Sequence, residues 1–169
     1  MGATFSLSYN ILDIYMDSME ETKEPAVILI VDDDDMVRLT HSVLVSSLGY
    51  QVLLASNGVE ALAVLDAMAV DLVLSDIVMP GMDGLELLSC VKQKYPETDV
   101  IISTGFHEKA SYAEVIKAGA IDFIKKPIDQ AELEAKLARA MREREMMSEL
   151  ERLSLQDSLT SILNRRAFD

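Results

Sequence analysis

Five short apolar runs in the middle of the chain constrain its fold more than any other feature. Each is rich in Val, Ile and Leu and nearly continuous, which is typical of strands that are covered on both faces. Segments with helical spacing separate these runs. Strand and helix alternating five times predict an α/β fold, a doubly wound parallel sheet with helices on both faces. The predicted strands are residues 26–31, 50–55, 71–75, 99–103 and 121–125.

Start and stop signals mark the helices between these strands. An Asn or Asp followed three residues later by Glu predicts a helix N-terminus closed by a capping box. Glycines Gly49 and Gly119 stand where a helix C-terminus is expected. The predicted capping pairs are Asn57 with Glu60, Asp83 with Glu86, and Asp129 with Glu132.

Composition excludes several classes of protein. The formal net charge is -14, which argues against a broad basic face for nucleic acid. No apolar run approaches the ~20 residues that span a bilayer, and the start lacks the basic segment of a secretory signal. The single cysteine, Cys90, excludes a disulfide framework and indicates a reducing compartment. We therefore expect a cytoplasmic protein that binds neither nucleic acid nor membrane.

A run of four carboxylates directly follows the first predicted strand, in the stretch LIVDDDD. Two like charges ~4 Å apart repel by roughly 4 kcal/mol at an effective dielectric near 20, so such a cluster needs compensation. The carboxyl ends of parallel strands share one sheet edge, where Asp32 and Asp33 meet Asp76 from the third strand. A divalent cation with oxygen ligands would neutralise them, and so would Lys126 after the fifth strand.

This set of groups suits phosphoryl transfer onto a carboxylate. A carboxylate nucleophile forms an acyl phosphate, and catalysis consists mostly of positioning and charge neutralisation. Thr104, at the end of the fourth strand, adds a hydroxyl donor. Asp76 is the best candidate nucleophile because the turn-rich stretch MPGMDG follows it closely and leaves it accessible.

Residues 25–140 resemble a two-component response-regulator receiver domain, the family of the chemotaxis regulator. The motifs that carry the resemblance are the acidic pair after the first strand, SDIVMPGMDG, the Thr-Gly after the fourth strand, and Lys126-Pro127. The resemblance implies a flavodoxin-like five-stranded sheet of order 2-1-3-4-5. It also implies that a sensor histidine kinase or phosphotransfer protein donates the phosphoryl group.

The resemblance also implies roles for individual residues. Asp76 corresponds to the phosphoacceptor, Thr104 and Lys126 to the groups that hold the phosphoryl oxygens, and the Lys126-Pro127 bond to a cis peptide. Phe123 stands at the aromatic switch position, where it lacks the hydroxyl of the more usual Tyr and must act by packing. The implied ligands of Mg²⁺ (or Mn²⁺) are Asp32, Asp33, Asp76 and the backbone carbonyl of Val78. His41 and His107 receive no role.

The last predicted helix extends beyond the needs of one domain. Residues 141–156 read as a helical or coiled-coil linker, either a simple protruding helix or a dimerising one. Residues 157–169 begin with DSLTSILNRRAF, which resembles the opening of a GGDEF domain of the diguanylate cyclase family, with Ser161-Ile162 in place of the usual Gly-Leu. The family's catalytic signature is absent, so we expect a non-enzymatic chain whose parent makes cyclic di-GMP.

The resemblance further predicts a homodimer through the face made by the fourth helix, fifth strand and fifth helix, continued by the last helix. Residues 1–24 are expected to form a flexible extension. Two rival functions stay open. A haloacid-dehalogenase-type phosphatase uses similar groups, but Met36 replaces the Thr of its signature. A dimerisation module that ignores phosphate is the other rival.

Overall fold

Five parallel strands and five helices alternate along the part of the chain that the structure, a computed structural model, describes. That part comprises residues 24–105 and 112–166, with the backbone alone for residues 155–166. The strands are β1 (Val27–Val31), β2 (Gln51–Ala55), β3 (Leu72–Asp76), β4 (Asp99–Thr104) and β5 (Asp122–Lys125). The helices are α1 (Asp35–Ser47), α2 (Gly58–Ala67), α3 (Gly84–Lys94), α4 (Tyr112–Lys117) and α5 (Gln130–Arg166).

The sheet has the order β2-β1-β3-β4-β5, and every neighbouring pair is parallel. This confirms the predicted doubly wound fold, and each strand boundary lies within one residue of its predicted place. The central strand β3 is buried along its whole length, as its continuous apolar sequence predicts. Residues 1–23, most of the predicted extension, lie outside the described residues.

The two faces of the sheet each support one apolar cluster. Adjacent residues of a strand point to opposite faces, so Leu29 packs with α2, α3 and α4 while Ile30 packs with α1 and α5. Leu133 and Leu137 of α5 are fully buried in the second cluster. Burying a side chain of this size stabilises a fold by roughly 1.5–3 kcal/mol, so these residues fix the first turns of α5 on the sheet.

Side-chain caps begin the helices largely as the sequence predicts. Asp83 and Glu86 form a complete capping box at α3. At α2, Asn57 accepts a hydrogen bond from the backbone N–H of Glu60, but the Glu60 carboxylate accepts from Ser56 rather than from Asn57. That carboxylate reaches one residue further because the Ser56 hydroxyl donates to it as well.

The last helix, α5, has 37 residues and is therefore about 55 Å long. Its buried residues end at Ala140, and every residue from Glu145 to Ser154 is exposed. The second half of the helix thus projects from the domain. In the described part of the chain, no helix combines the length and hydropathy that crossing a bilayer requires.

Candidate functional site

Three carboxylates from two neighbouring strands meet at the carboxyl edge of the sheet. Asp32 and Asp33 directly follow β1, and Asp76 is the last residue of β3, which pairs with β1. One carboxylate oxygen from each of the three lies within 4.8 Å of the other two. Asp32 and Asp76 are buried, whereas Asp33 is exposed. The structure therefore brings together the carboxylates that the sequence placed at this edge.

Lys126 supplies the positive charge of this cluster. Its Nζ lies 2.9 Å from Asp32 Oδ2 and 2.8 Å from Asp76 Oδ2, so one ammonium bridges two carboxylates. Its backbone N–H donates to the carbonyl of Thr104 at 2.7 Å, which ties the end of β5 to the end of β4. The Lys126-Pro127 peptide bond is cis. We call Asp32, Asp33, Asp76 and Lys126 the acidic site.

Backbone hydrogen bonds hold the two buried carboxylates in place. Asp32 Oδ1 accepts from the N–H of Asp34 at 2.9 Å, and Asp76 Oδ1 accepts from the N–H of Ile77 at 2.8 Å. Each carboxylate therefore has one oxygen on the backbone and the other on Lys126. Asp34 in turn caps α1 by accepting from two backbone N–H groups, and Asp35 begins that helix. The last two carboxylates of the run thus serve the helix terminus.

Burial and charge act in opposite directions on the groups of the acidic site. Burial raises the pKa of Asp76 above its ordinary value, the Asp32 charge adds to this, and the contact with Lys126 opposes it. Burial by itself would lower the pKa of Lys126, but its contacts with Asp76 and Asp32 outweigh this and raise it. The site contains three carboxylates and one ammonium, so its formal charge is negative.

The other predicted site residues lie around this cluster. Thr104 ends β4 at the same edge, and its hydroxyl donates to the carbonyl of Gly105 at 3.2 Å. Val78 stands two residues after Asp76 with its side chain exposed. Phe123 is half-buried on β5, where its ring centroid lies 5.0 Å from that of Tyr112 on α4. His107 lies outside the described residues.

Two α1 residues lie near the acidic site: Arg38, which the sequence analysis did not single out, and His41, to which it gave no role. Arg38 donates to the backbone carbonyl of Asp32 at 2.6 Å and pairs with Asp35. His41 is buried, and burial lowers its pKa, while the Asp32 charge raises it and the Lys126 charge lowers it. The sequence offered one signal for Arg38, its i,i+3 spacing from Asp35.

Gly84 ends the SDIVMPGMDG motif, and the structure shows that close packing requires a glycine at this position. A Cβ at this position would lie 2.3 Å from the backbone carbonyl oxygen of Asp76 and 2.8 Å from the Cα of Ile77. The Gly84 N–H donates to the Ile77 carbonyl at 2.9 Å. The start of α3 therefore packs directly against the backbone of Asp76, and only glycine permits that distance.

The family model described as "Response regulator receiver domain" matches residues 28–138. The chain is 38% identical over 122 residues to the transcriptional regulatory protein ZraR of Klebsiella oxytoca. It is 35% identical over 117 residues to a cyclic di-GMP phosphodiesterase of Thermotoga maritima. These alignments cover 70% and 69% of this chain but 27% and 31% of the relatives, so the chain spans less than a third of their length.

Solved structures of receiver domains share the fold of this chain. A CheY-like response regulator receiver domain protein from Methanospirillum hungatei superposes with a TM-score of 0.69 at 31% identity. The match covers 73% of this chain and 98% of that chain.

Proposed function

This chain belongs to the response regulator receiver family of two-component systems, and we propose that its receiver accepts a phosphoryl group on Asp76. The observation that carries the proposal is the contact between Asp76 and Lys126, inside a cluster whose ligand oxygens lie within 4.8 Å. Asp76 ends the fully buried strand β3 and is followed by a loop whose Val78 is exposed. Asp76 itself is only 6% exposed, less than its turn-rich flank predicts, so we propose that a donor reaches it from the side of this loop.

The proposed donor is a phosphohistidine of a sensor histidine kinase or phosphotransfer protein. In the transfer, a carboxylate oxygen of Asp76 forms a bond to phosphorus as the N–P bond of the phosphohistidine breaks. The histidine nitrogen leaves with the bonding electron pair and takes up a proton. The ammonium of Lys126 is placed to exchange its contacts with the carboxylates for contacts with the incoming phosphoryl oxygens. The Thr104 hydroxyl is placed to donate to the same phosphoryl oxygens.

The acidic site fits a hard divalent cation, Mg²⁺ or Mn²⁺. Its donor atoms are all oxygens, two of its carboxylates are buried, and their charge exceeds that of the one lysine. Asp32, Asp33, Asp76 and the Val78 carbonyl would hold the ion. When bound, the ion neutralises charge on the carboxylates and on the phosphoryl oxygens.

The proposed switch couples Thr104 to Phe123. If Thr104 turns from Gly105 toward the phosphoryl oxygens, it frees space beside β5 that the Phe123 ring can fill. Phe123 contacts both neighbouring helices: its ring lies 5.0 Å from that of Tyr112 on α4 and 5.8 Å from the ammonium of Lys136 on α5. Its movement would therefore repack the α4-β5-α5 face, through which we propose that two copies dimerise.

We propose further that the dimer continues along α5 and controls a diguanylate cyclase domain beyond this chain. Support comes from residues 157–169, which resemble the start of a GGDEF domain and begin within the projecting half of α5. One relative is named a cyclic di-GMP phosphodiesterase, and this likeness supports an output linked to cyclic di-GMP.

Replacement of the phosphoacceptor tests the central proposal. We expect the wild-type chain, incubated with acetyl phosphate and Mg²⁺, to gain the mass of one phosphoryl group, and Asp76→Asn to gain none. The matched control is Asp66→Asn, an exposed carboxylate on α2, which keeps full uptake. Labelling of the Asp76→Asn chain to the wild-type extent would overturn the assignment. Repeated turnover of a phosphomonoester would favour the phosphatase instead.

Light scattering after size-exclusion chromatography tests the dimer. We expect beryllofluoride with Mg²⁺ to raise the molar mass of the wild-type chain toward that of two copies. An unchanged mass in a sample that binds beryllofluoride would overturn the proposed dimer and leave the phosphoacceptor assignment intact.

A further inference from the structure

A second ion cluster lies at the opposite, amino edge of the sheet and involves α5. Arg144 NH2 lies 3.1 Å from Asp71 Oδ1, and Arg144 NH1 lies 3.5 Å from Asp99 Oδ2. The same guanidinium donates to the backbone carbonyl of Glu97. Asp71 directly precedes β3, and Asp99 begins β4. One side chain of α5 thus binds the starts of two neighbouring strands.

The carboxylates of this cluster bind further elements. Asp71 Oδ2 accepts from the backbone N–H of Val27, the first residue of β1, at 2.8 Å. Lys92 of α3 lies 3.7 Å from Asp99 Oδ1 and donates to the Thr98 carbonyl at 2.9 Å. We call Arg144, Lys92, Asp71 and Asp99 the basal ion cluster. It links α5 to three strands and to a helix on the opposite face of the sheet.

Arg144 lies between two parts of α5 whose apolar residues are on opposite sides of the helix. Leu137 is buried against the sheet, whereas Met146, Leu150 and Leu153 are exposed. Leu137 and Met146 are nine residues apart, which is roughly two and a half turns, so they face opposite sides of α5. Arg144, seven residues after Leu137, lies on the side that faces the sheet. The sheet therefore contacts one side of α5 as far as Arg144. After Arg144, the apolar side chains lie on the opposite side of the helix and are exposed.

We propose that Arg144 is a positioning residue that fixes the direction and rotational phase of the projecting half of α5. A guanidinium has a planar fork that can bind two carboxylates at once, so several directional contacts prevent rotation of the helix about its axis. The exposed stripe of Met146, Leu150 and Leu153 is thereby held at a set angle to the receiver. The inference rests on the proposed function only in taking this half of α5 as the output element.

Distances within one chain, measured by electron paramagnetic resonance, test this role. Spin labels are attached to cysteines at the exposed positions Gln93 and Ser148 in a Cys90→Ser background. The labelled chain is mixed with a large excess of unlabelled chain, so that distances between copies do not contribute. We expect a narrow distance distribution in the wild-type background. We expect Arg144→Ala to broaden it about twofold, because the helix then samples several directions.

Two further variants separate positioning from general destabilisation. Arg152→Ala removes an arginine that pairs with Glu149 on α5 itself, so its distribution is expected to stay narrow. Arg144→Lys keeps the positive charge but lacks the planar guanidinium fork. Its distance distribution is therefore expected to be narrower than that of Arg144→Ala and broader than that of wild type. An Arg144→Ala distribution as narrow as that of wild type would overturn the proposal, and so would equal broadening in Arg152→Ala.

Phosphoryl uptake from acetyl phosphate, measured on the same samples, distinguishes this inference from the proposed function. Because Arg144 lies at the edge opposite the acidic site, uptake on Asp76 is expected to be unchanged in Arg144→Ala. If the wild-type chain takes up no phosphoryl group, the phosphoacceptor proposal fails, while the distance distributions still decide the role of Arg144.

Discussion

The two edges of the sheet use the same kinds of side chain for different ends. In the acidic site, three carboxylates lie together with one ammonium, that of Lys126, which contacts two of them. In the basal ion cluster, two carboxylates face two cations, Arg144 and Lys92. The first arrangement is short of positive charge and the second is balanced. Charge balance therefore distinguishes a site poised to bind a cation from an ion network that holds helices on a sheet.

Burial strengthens this contrast. Asp32 and Asp76 are almost fully buried, so water screens their repulsion poorly. The carboxylates and the guanidinium of the basal ion cluster are only half-buried, so each of its contacts contributes less and is weakened by salt. The acidic site holds unfavourable charge that a ligand can relieve, whereas the basal ion cluster needs no ligand.

Removing Lys126 is expected to give the largest effect. Lys126→Gln leaves two buried carboxylates without a cation, which should lower the free energy of unfolding by about 2–4 kcal/mol. This is less than the loss expected for a fully buried ion pair, because the Lys126 side chain is 24% exposed. Millimolar Mg²⁺ should restore much of this loss, because the ion replaces the missing charge. Urea denaturation with and without Mg²⁺ measures both effects.

The control for this comparison is Lys94→Gln, which removes an exposed ion pair with Asp66. Its stability is expected to stay near that of wild type at either Mg²⁺ concentration. A Lys126→Gln chain that Mg²⁺ fails to stabilise more than it stabilises wild type would contradict the idea that the acidic site lacks positive charge.

Two glycines, one at each edge, give the next effect. Gly84→Ala forces a Cβ against the Asp76 carbonyl, so we expect a loss of about 1–3 kcal/mol together with weaker Mg²⁺ binding and slower phosphoryl uptake. Gly49→Ala, at the amino edge, meets no atom within 4 Å but has φ +90°, so it should cost about 1–2 kcal/mol and leave uptake unchanged. Equal uptake in both variants would show that Gly84 does not shape the site.

Arg144→Ala is expected to lower the free energy of unfolding by about 1 kcal/mol, because its contacts are half-buried and screened. Unlike the loss in Lys126→Gln, this loss should not respond to Mg²⁺ and should shrink in high salt. Urea denaturation at two salt concentrations measures it. A loss that Mg²⁺ reverses would mean that the two edges of the sheet are coupled and do not act independently.

His41 gives the smallest expected effect. Burial lowers its pKa in the folded chain, so below the ordinary value of 6.5 the unfolded chain takes up the proton first. The contribution of His41 to stability should therefore decrease as the pH falls below about 6.5. His41→Leu should reduce this dependence, measured by urea denaturation without Mg²⁺ at a series of pH values between neutral and mildly acidic. If the free energy of unfolding has the same slope against pH in wild type and variant, His41 does not contribute to the pH dependence.

Much of the acidic site followed from the sequence. Asp32, Asp33 and Asp76 each come directly at a strand end, and parallel strand ends share an edge, so local pattern was enough to bring them together. Lys126 was placed in the same way. Arg38 and His41 were not, because both lie inside a helix whose orientation depends on packing and neither belongs to a strand-end motif.

The basal ion cluster could not be predicted for a related reason. Asp71 and Asp99 read as the first residues of two predicted strands, and Arg144 reads as one charge among many on a polar helix. Their contacts join positions 73 residues apart in the chain, in the pair formed by Arg144 and Asp71. Such pairs depend on the angle at which α5 crosses the sheet, and side-chain periodicity does not contain that angle.

The sequence by itself determined the order of strands and helices, the helix caps and the carboxylates at the end of β1 and β3, because these depend on neighbouring residues and on the two periods of secondary structure. Tertiary structure alone decided which carboxylates Arg144 and Lys92 bind, why position 84 must be glycine, and where α5 leaves the domain. Those features depend on distances between segments far apart in the chain, which only the packed core fixes.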